Sequence, residues 1–92
     1  MAVPVKVYTT SYCPYCIRAK ALLKKRNIAF EEIDVSNDFE TRNWLVQASG
    51  GMRTVPVIFI GDKSVGGSDE LHALDRAGEL MKRVNGEDNA AQ

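Results

Sequence analysis

The first third of the chain alternates between runs that favour strands and a run that favours a helix. Residues 3–9 are rich in β-branched side chains, which predicts a strand. Apolar residues recur at helical spacing in 17–26, and Pro14 suits the first turn of that helix because the N–H it lacks has no partner there. Residues 29–35 alternate again and predict a second strand, which should pair in parallel with the first because a helix connects them.

The pattern next predicts a second helix. Residues 36–38, Ser-Asn-Asp, offer N-capping side chains, and Glu40 follows Asn37 at the spacing of a capping box. Apolar bulk follows, so the helix should run from about residue 38 to 48. Two glycines, at 50 and 51, then end it.

The last part of the chain predicts a hairpin and a third helix. Residues 56–60 are an apolar strand, 61–63 a turn, and 64–65 a short strand. Gly-Gly-Ser-Asp-Glu at 66–70 opens a helix whose apolar positions recur at helical intervals as far as Val84, with Gly86 as its stop.

These elements give the order β-α-β-α-β-β-α, with no internal repeat and no linker. We therefore predict an α/β fold in which three helices cover a mixed four-stranded sheet. The whole chain, 1–92, should form one domain, because 92 residues with 45% apolar content can build one modest core. The polar tail at 87–92 is expected to be disordered.

Composition and charge remove several classes of function. Twelve basic and twelve acidic residues leave a formal net charge of zero, which lacks the positive footprint of a nucleic-acid-binding protein. No segment approaches the roughly 20 apolar residues of a membrane span, and the N-terminal apolar run is too short and interrupted for a secretory signal. The expectation is a monomer in the cytoplasm, where paired cysteines are more often catalytic than structural.

The candidate chemistry lies in Cys13-Pro14-Tyr15-Cys16, which contains the only two cysteines of the chain. The pair falls at the junction of the first strand and first helix, and a Cys-x-x-Cys near a βαβ pattern indicates a thioredoxin-like redox site. A structural zinc site needs four ligands, and only His72 could join the cysteines, so no metal is expected. A disulfide across so short a loop would add little stability.

Three motifs resemble the glutaredoxin family, and the resemblance extends over residues 3–84. They are Cys13-Pro14-Tyr15-Cys16, Thr54-Val55-Pro56 and Gly66-Gly67-Ser68-Asp69. The resemblance implies a thioredoxin fold and an enzyme of the dithiol class that uses glutathione as co-substrate. Its substrates would be glutathionylated proteins and protein disulfides.

The resemblance also assigns roles to the first motif. Cys13 would be the nucleophile, because a helix N-terminus stabilises a thiolate, and thiols in such positions can have pKa values of roughly 3.5–7.5. Cys16, one turn into the helix, would be more covered and would resolve the mixed disulfide. Pro14 and Tyr15 would tune the redox potential, although both residue types are also ordinary at the start of a helix.

The other two motifs would bind glutathione. Pro56 would be cis, so that the main chain at Thr54 and Val55 could pair with the cysteinyl backbone of glutathione. The γ-glutamyl end would lie at the N-terminus of the third helix, next to Gly67 in the preceding loop. The backbone N–H groups of Ser68 and Asp69 would bind its carboxylate, and the Asp69 side chain would face its ammonium.

The glycine carboxylate of glutathione needs a cation or an amide. Arg53, Arg42 and Asn43 fall in the expected region, but a solvated surface role is equally compatible with their sequence. The chain departs from the family pattern at Thr10, where many relatives have a lysine three residues before the first cysteine. Thr10 cannot supply that charge.

Two alternatives remain open at this point. One is a thioredoxin-like donor recharged by a thioredoxin reductase, although the chain lacks the Trp-Cys-Gly-Pro-Cys surroundings. The other is a binding protein in which Cys13 and glutathione ligate an iron–sulfur cluster, against which Pro14 counts because cluster-assembling relatives more often have a small residue there.

Overall fold

The computed structural model describes residues 3–51 and 54–85, which contain four strands and four helices. Within those residues, the strands are β1 (Val5–Thr9), β2 (Glu31–Asp34), β3 (Val57–Ile60) and β4 (Lys63–Gly66). The helices are α1 (Pro14–Lys25), α2 (Phe39–Ala48), α3 (Ser68–Arg76) and α4 (Leu80–Val84). No helix in this part of the chain is both long and apolar enough to cross a membrane.

The four strands form one mixed sheet in the order β2-β1-β3-β4. β1 and β2 are parallel, with Tyr8 opposite Ile33, and β1 and β3 are antiparallel, with Val7 opposite Ile58. β3 and β4 form the antiparallel hairpin that the turn at 61–63 predicts. The sheet confirms the predicted fold class, including the βαβ unit.

Alternate residues of the central strands face opposite sides of the sheet, and each side carries its own apolar cluster. Val7 and Ile58 belong to the larger cluster, whereas Tyr8 and Val57 belong to the smaller one. The larger cluster also contains buried side chains of α1, α3 and α4, namely Ala19, Leu22, Leu23, Leu71, Leu80 and Val84. α2 contributes Leu45 to the smaller cluster, so it covers the opposite face.

The predicted third helix is two helices, which corrects the expectation of three. Gly78 adopts φ +75° and ends α3. Its N–H donates to the Asp75 carbonyl at 3.1 Å, and the Glu79 N–H donates to the Leu74 carbonyl at 3.0 Å. This pair of bonds is the Schellman arrangement, in which a left-handed residue satisfies the last carbonyls of a helix. α4 then starts at Leu80 and keeps the apolar period.

Smaller differences concern the ends of elements. β1 and β2 are shorter than the runs at 3–9 and 29–35, and the N-cap of α2 is Asp38, whose Oδ1 accepts the Thr41 N–H at 3.0 Å. The expected capping box with Asn37 is therefore wrong. The predicted stop at Gly86 and the tail at 87–92 lie outside the described residues, as does Arg53.

Candidate functional site

The two cysteines occupy the first turn of α1 and form a disulfide. Cys13 is the N-cap residue, and its Sγ accepts the backbone N–H of Cys16 at 3.1 Å. Pro14 is in the first helical turn, as predicted. Cys13 retains 8% of its residue surface exposed and Cys16 only 2%, so the cysteine expected to attack is the less buried residue of the two.

The Val55–Pro56 segment lies beside Cys13, immediately before β3. The peptide bond between Val55 and Pro56 is cis, as the resemblance implied. The Cys13 Sγ is 3.7 Å from the Val55 carbonyl oxygen. Thr54 is exposed and Val55 half-buried, while Pro56 is buried against the fold. The main chain at Val55 is therefore a backbone neighbour of the Cys13 sulfur.

The N-terminus of α3 forms the third side of the site. Gly67 is the N-cap residue and has no side chain with which to cap the helix. Its N–H instead donates to Glu70 Oε1 at 2.7 Å. Gly66 has φ +101°, and a Cβ there would lie 2.8 Å from the same Glu70 oxygen, so both the conformation and the close approach favour glycine.

Ser68 and Asp69 follow in the first turn of α3. Ser68 is buried, whereas the Asp69 side chain is exposed. The first N–H groups of a helix have no partner within the helix, so this end of α3 can receive an anion. His72 of α3 is half-buried, and its Nδ1 lies 2.7 Å from the Ser68 carbonyl oxygen.

A cleft of about 830 Å³ joins these parts. It is lined by seven of the residues proposed from sequence, namely Tyr15, Thr54, Val55, Pro56, Gly67, Ser68 and Asp69. Cys13 lies at its edge, next to Val55, and Pro14 is exposed on the first turn of α1. Arg53 lies outside the described residues, so its place is not assigned.

Three further residues line the cleft. Arg42 of α2, one of the candidates for the glycine carboxylate, lines both this cleft and an adjoining cavity of about 180 Å³. Asn43 lines only the adjoining cavity. Gly66 belongs to the third motif named from sequence, whereas Glu70 was missed, although a glutamate three residues after Gly67 has the spacing of a capping box.

The charged side chains of the described lining come from two helices, with the positive charge on one and the negative charges on the other. Arg42 supplies a cation from α2, and Asp69 and Glu70 supply carboxylates from the first turn of α3. A ligand that carries charges of both signs suits this lining better than a simple anion. Across residues 3–51 and 54–85, no three His, Cys, Asp or Glu side chains come together as a metal site.

Comparisons with known proteins decide the family. The family profile described as Glutaredoxin matches residues 5–65. The chain belongs to the glutaredoxin family. A glutaredoxin of Pseudomonas aeruginosa is 52% identical over 77 residues, covering 84% of this chain and 90% of the relative. Glutaredoxin 3 of Escherichia coli is 43% identical over 76 residues, covering 83% of this chain and 90% of the relative.

Solved structures agree with the family and with the fold. A glutaredoxin from Brucella melitensis has a TM-score of 0.82 and 45% identity, covering 91% of this chain and 90% of that one. A buckwheat glutaredoxin–glutathione complex has a TM-score of 0.83 and 32% identity, covering 89% of this chain and 76% of that one. With the Cys13–Cys16 pair in place, this glutaredoxin is a thiol–disulfide oxidoreductase with a thioredoxin fold.

Proposed function

We propose that the protein is a glutathione-dependent oxidoreductase that reduces protein–glutathione mixed disulfides and protein disulfides. The observation that carries this proposal is one cleft lined by both Val55 and the N-terminus of α3, with the Cys13 Sγ 3.7 Å from the Val55 carbonyl oxygen. Glutathione has a thiol in its middle and a zwitterionic γ-glutamyl end. The groups that line the cleft suit that chemistry, and the similarity to the buckwheat complex supports the proposal.

Each part of glutathione has a partner of suitable chemistry in this arrangement. The main chain at Val55 pairs with the cysteinyl residue and holds the ligand sulfur close to Cys13. The γ-glutamyl carboxylate receives the N–H groups of Ser68 and Asp69, while the Asp69 carboxylate faces the ammonium. Among the described residues, Arg42 supplies the cation for the glycine carboxylate. Arg53 is a second candidate.

The reaction follows from thiol–disulfide exchange. The Cys13 thiolate attacks the glutathione sulfur of a mixed disulfide, and the client thiolate leaves and takes a proton from water. Cys13 is then joined to glutathione. The thiolate of a second glutathione attacks the bound glutathione sulfur, which yields glutathione disulfide and restores the Cys13 thiolate. One mixed disulfide and one thiol are consumed, and one thiol and one disulfide are produced.

Protein disulfides require both cysteines. Cys13 attacks one client sulfur, and the second client thiolate departs. The Cys16 thiolate then attacks Cys13, which releases the other client thiol and leaves the Cys13–Cys16 disulfide. The bond between Cys13 and Cys16 in the structure represents this oxidised state. Two glutathione molecules supply the two electrons that reduce it.

The experiment is turnover of a glutathionylated peptide with reduced glutathione, glutathione reductase and NADPH. Wild type, Cys16→Ser and Cys13→Ser are compared. We expect wild type and Cys16→Ser to turn over, and Cys13→Ser to fall to the rate without enzyme, because only Cys13 attacks the glutathione sulfur. Equal loss in both variants would contradict the assigned roles. Turnover only when thioredoxin reductase replaces glutathione and its reductase would identify a thioredoxin-like donor.

A further inference from the structure

The hydrogen-bonded pairing of β1 and β2 continues beyond the strands through a side chain. The parallel ladder ends at Thr9 and Asp34, and the Val35 N–H donates to the Thr9 carbonyl at 2.8 Å. Beyond this point the segment after β1 leads to α1, and the segment after β2 leads to α2. At that point Ser36 Oγ accepts the Ser11 N–H at 2.7 Å. A serine hydroxyl thus supplies one more link where a backbone carbonyl no longer reaches.

Ser36 is itself held in place by Asp34. The Ser36 N–H donates to Asp34 Oδ1 at 2.8 Å. Hydrogen bonds from the Ser36 hydroxyl, and then from its backbone N–H, hold the pKa of the Asp34 carboxyl below its ordinary value. Asp34 is therefore a carboxylate at neutral pH. The carboxylate that accepts the Ser36 N–H fixes the backbone at Ser36, and so fixes where its hydroxyl meets the Ser11 N–H.

The bond from Ser11 reaches the reactive cysteine through two residues of chain. Thr10, Ser11 and Tyr12 connect β1 to Cys13, and Ser11 and Tyr12 are exposed. The position of Cys13 determines whether its sulfur can accept the Cys16 N–H at 3.1 Å and stay 3.7 Å from the Val55 carbonyl oxygen. At the other end of the Ser11–Ser36 bond, Ser36 is two residues before Asp38. Asp38 is the N-cap of α2, the helix that contributes Arg42 to the cleft.

We propose that Ser36 is a positioning residue for Cys13, and that its hydroxyl sets the loop before the cysteine relative to the start of α2. This inference rests on the proposed function only in that Cys13 is the nucleophile. Ser36 does not line the cleft and touches no reacting atom, so it acts through the Ser11 N–H. Without that bond, the loop is freer and the sulfur spends less time in its bond to the Cys16 N–H.

The test uses alkylation of Cys13 by iodoacetamide across a pH series, in a Cys16→Ser background. This assay needs no glutathione, so its result is independent of the proposed co-substrate. Ser36→Ala removes the acceptor, and Ser36→Thr keeps a hydroxyl. Ser49→Ala is the matched control, because Ser49 Oγ donates to the Leu45 carbonyl at 2.6 Å at the far end of α2. Thermal unfolding of every variant is measured alongside.

We expect Ser36→Ala to move the pH midpoint of alkylation upward and to slow alkylation at neutral pH roughly two- to tenfold, the range for loss of one hydrogen bond. Ser36→Thr should restore most of the rate, and Ser49→Ala should keep the parental midpoint. The proposal is overturned if Ser36→Ala keeps that midpoint, if threonine fails to restore the rate, or if Ser49→Ala shifts the midpoint equally.

A second variant decides the question should Ser36→Ala fail to fold. Asp34→Asn keeps the Ser36 hydroxyl but removes the charge that strengthens the bond from the Ser36 N–H, so we expect a smaller upward shift of the same midpoint. A parental midpoint in Asp34→Asn would then overturn the proposal. Failure of the proposed function would look different, because glutathione turnover would be absent in the parent protein while alkylation of Cys13 stayed normal.

Discussion

Two helix N-termini meet at the site, and they are capped in opposite ways. α1 begins behind Cys13, whose sulfur accepts the Cys16 N–H, and its first turn has no acidic residue. α3 begins behind Gly67, which has no side chain, and its first turn contains Asp69 and Glu70. The Cys13 sulfur, the proposed nucleophile, is therefore the cap of one helix, whereas the other helix offers backbone donors to a ligand.

The difference shows how one physical feature serves two purposes. A helix N-terminus attracts negative charge through its free N–H groups and its dipole. At α1 this attraction acts on the Cys13 sulfur and favours its thiolate, and no carboxylate in the first turn opposes it. At α3 the two carboxylates offset part of the attraction, which suits a ligand end that carries an ammonium beside its carboxylate.

The largest predicted effect separates capping from reactivity at α1. In the Cys16→Ser background, Cys13→Ser and Cys13→Ala should both lose all alkylation and turnover, because neither provides a thiolate. Serine is a good N-cap and alanine is not, so the alanine variant should be less stable by about 1 kcal/mol. Chemical denaturation of the two variants measures this difference. Equal stability would mean that α1 gains nothing from a side-chain acceptor at its N-cap position.

The next effect concerns the ligand end at α3. Asp69→Asn should raise the KM for glutathione about tenfold or more, the consequence of losing one charge-assisted hydrogen bond, and should leave kcat almost unchanged. Glu40→Gln is the control, since Glu40 is an exposed acid in the first turn of α2 and is absent from the described lining of the cleft. Should Asp69→Asn bind glutathione normally, the Asp69 contact with the ammonium would be wrong.

Local pattern was sufficient to predict most of the fold. The βαβ unit, the hairpin and the start of α1 depend on side-chain alternation, on helical spacing and on proline at a first turn, all of which act within a few residues. The Cys13-Pro14-Tyr15-Cys16 motif located the redox centre for the same reason. The cis bond before Pro56 came only from the resemblance to glutaredoxins, since residue content alone favours trans.

The remaining features depend on contacts that the pattern does not contain. Gly78 ends α3 although the apolar period continues through it, because a left-handed residue changes the direction of the chain without changing the spacing of leucines. Ser36 and Ser11 are 25 positions apart, and their bond exists because two parallel strands end side by side. No local signal in the sequence indicates that pairing.

The smallest predicted effect concerns the far ends of the same two helices. Arg26, just after α1, donates from Nε to Asp75 Oδ1 at 2.8 Å and from its second terminal nitrogen to Oδ2 at 3.0 Å. This contact holds the pKa of Asp75 below its ordinary value of 3.8. A carboxyl with a lowered pKa stabilises the fold above its unfolded pKa, and that contribution is lost as the pH falls through the folded value.

Asp75→Ala should therefore lower the unfolding temperature slightly at neutral pH, and its difference from wild type should shrink as the pH falls below about 4, where the unfolded carboxyl begins to protonate. Arg26→Ala should cause a similar loss at neutral pH, and the double variant should add little, since either change removes the whole contact. Thermal unfolding at neutral pH and at about pH 2.5 measures both effects, with Asp62→Ala, in the exposed turn between β3 and β4, as the control. If the difference in unfolding temperature between Asp75→Ala and wild type stays constant with pH, the effect of Asp75 comes from packing. The contact between α1 and α3 at this end would then depend on van der Waals packing rather than on the ion pair.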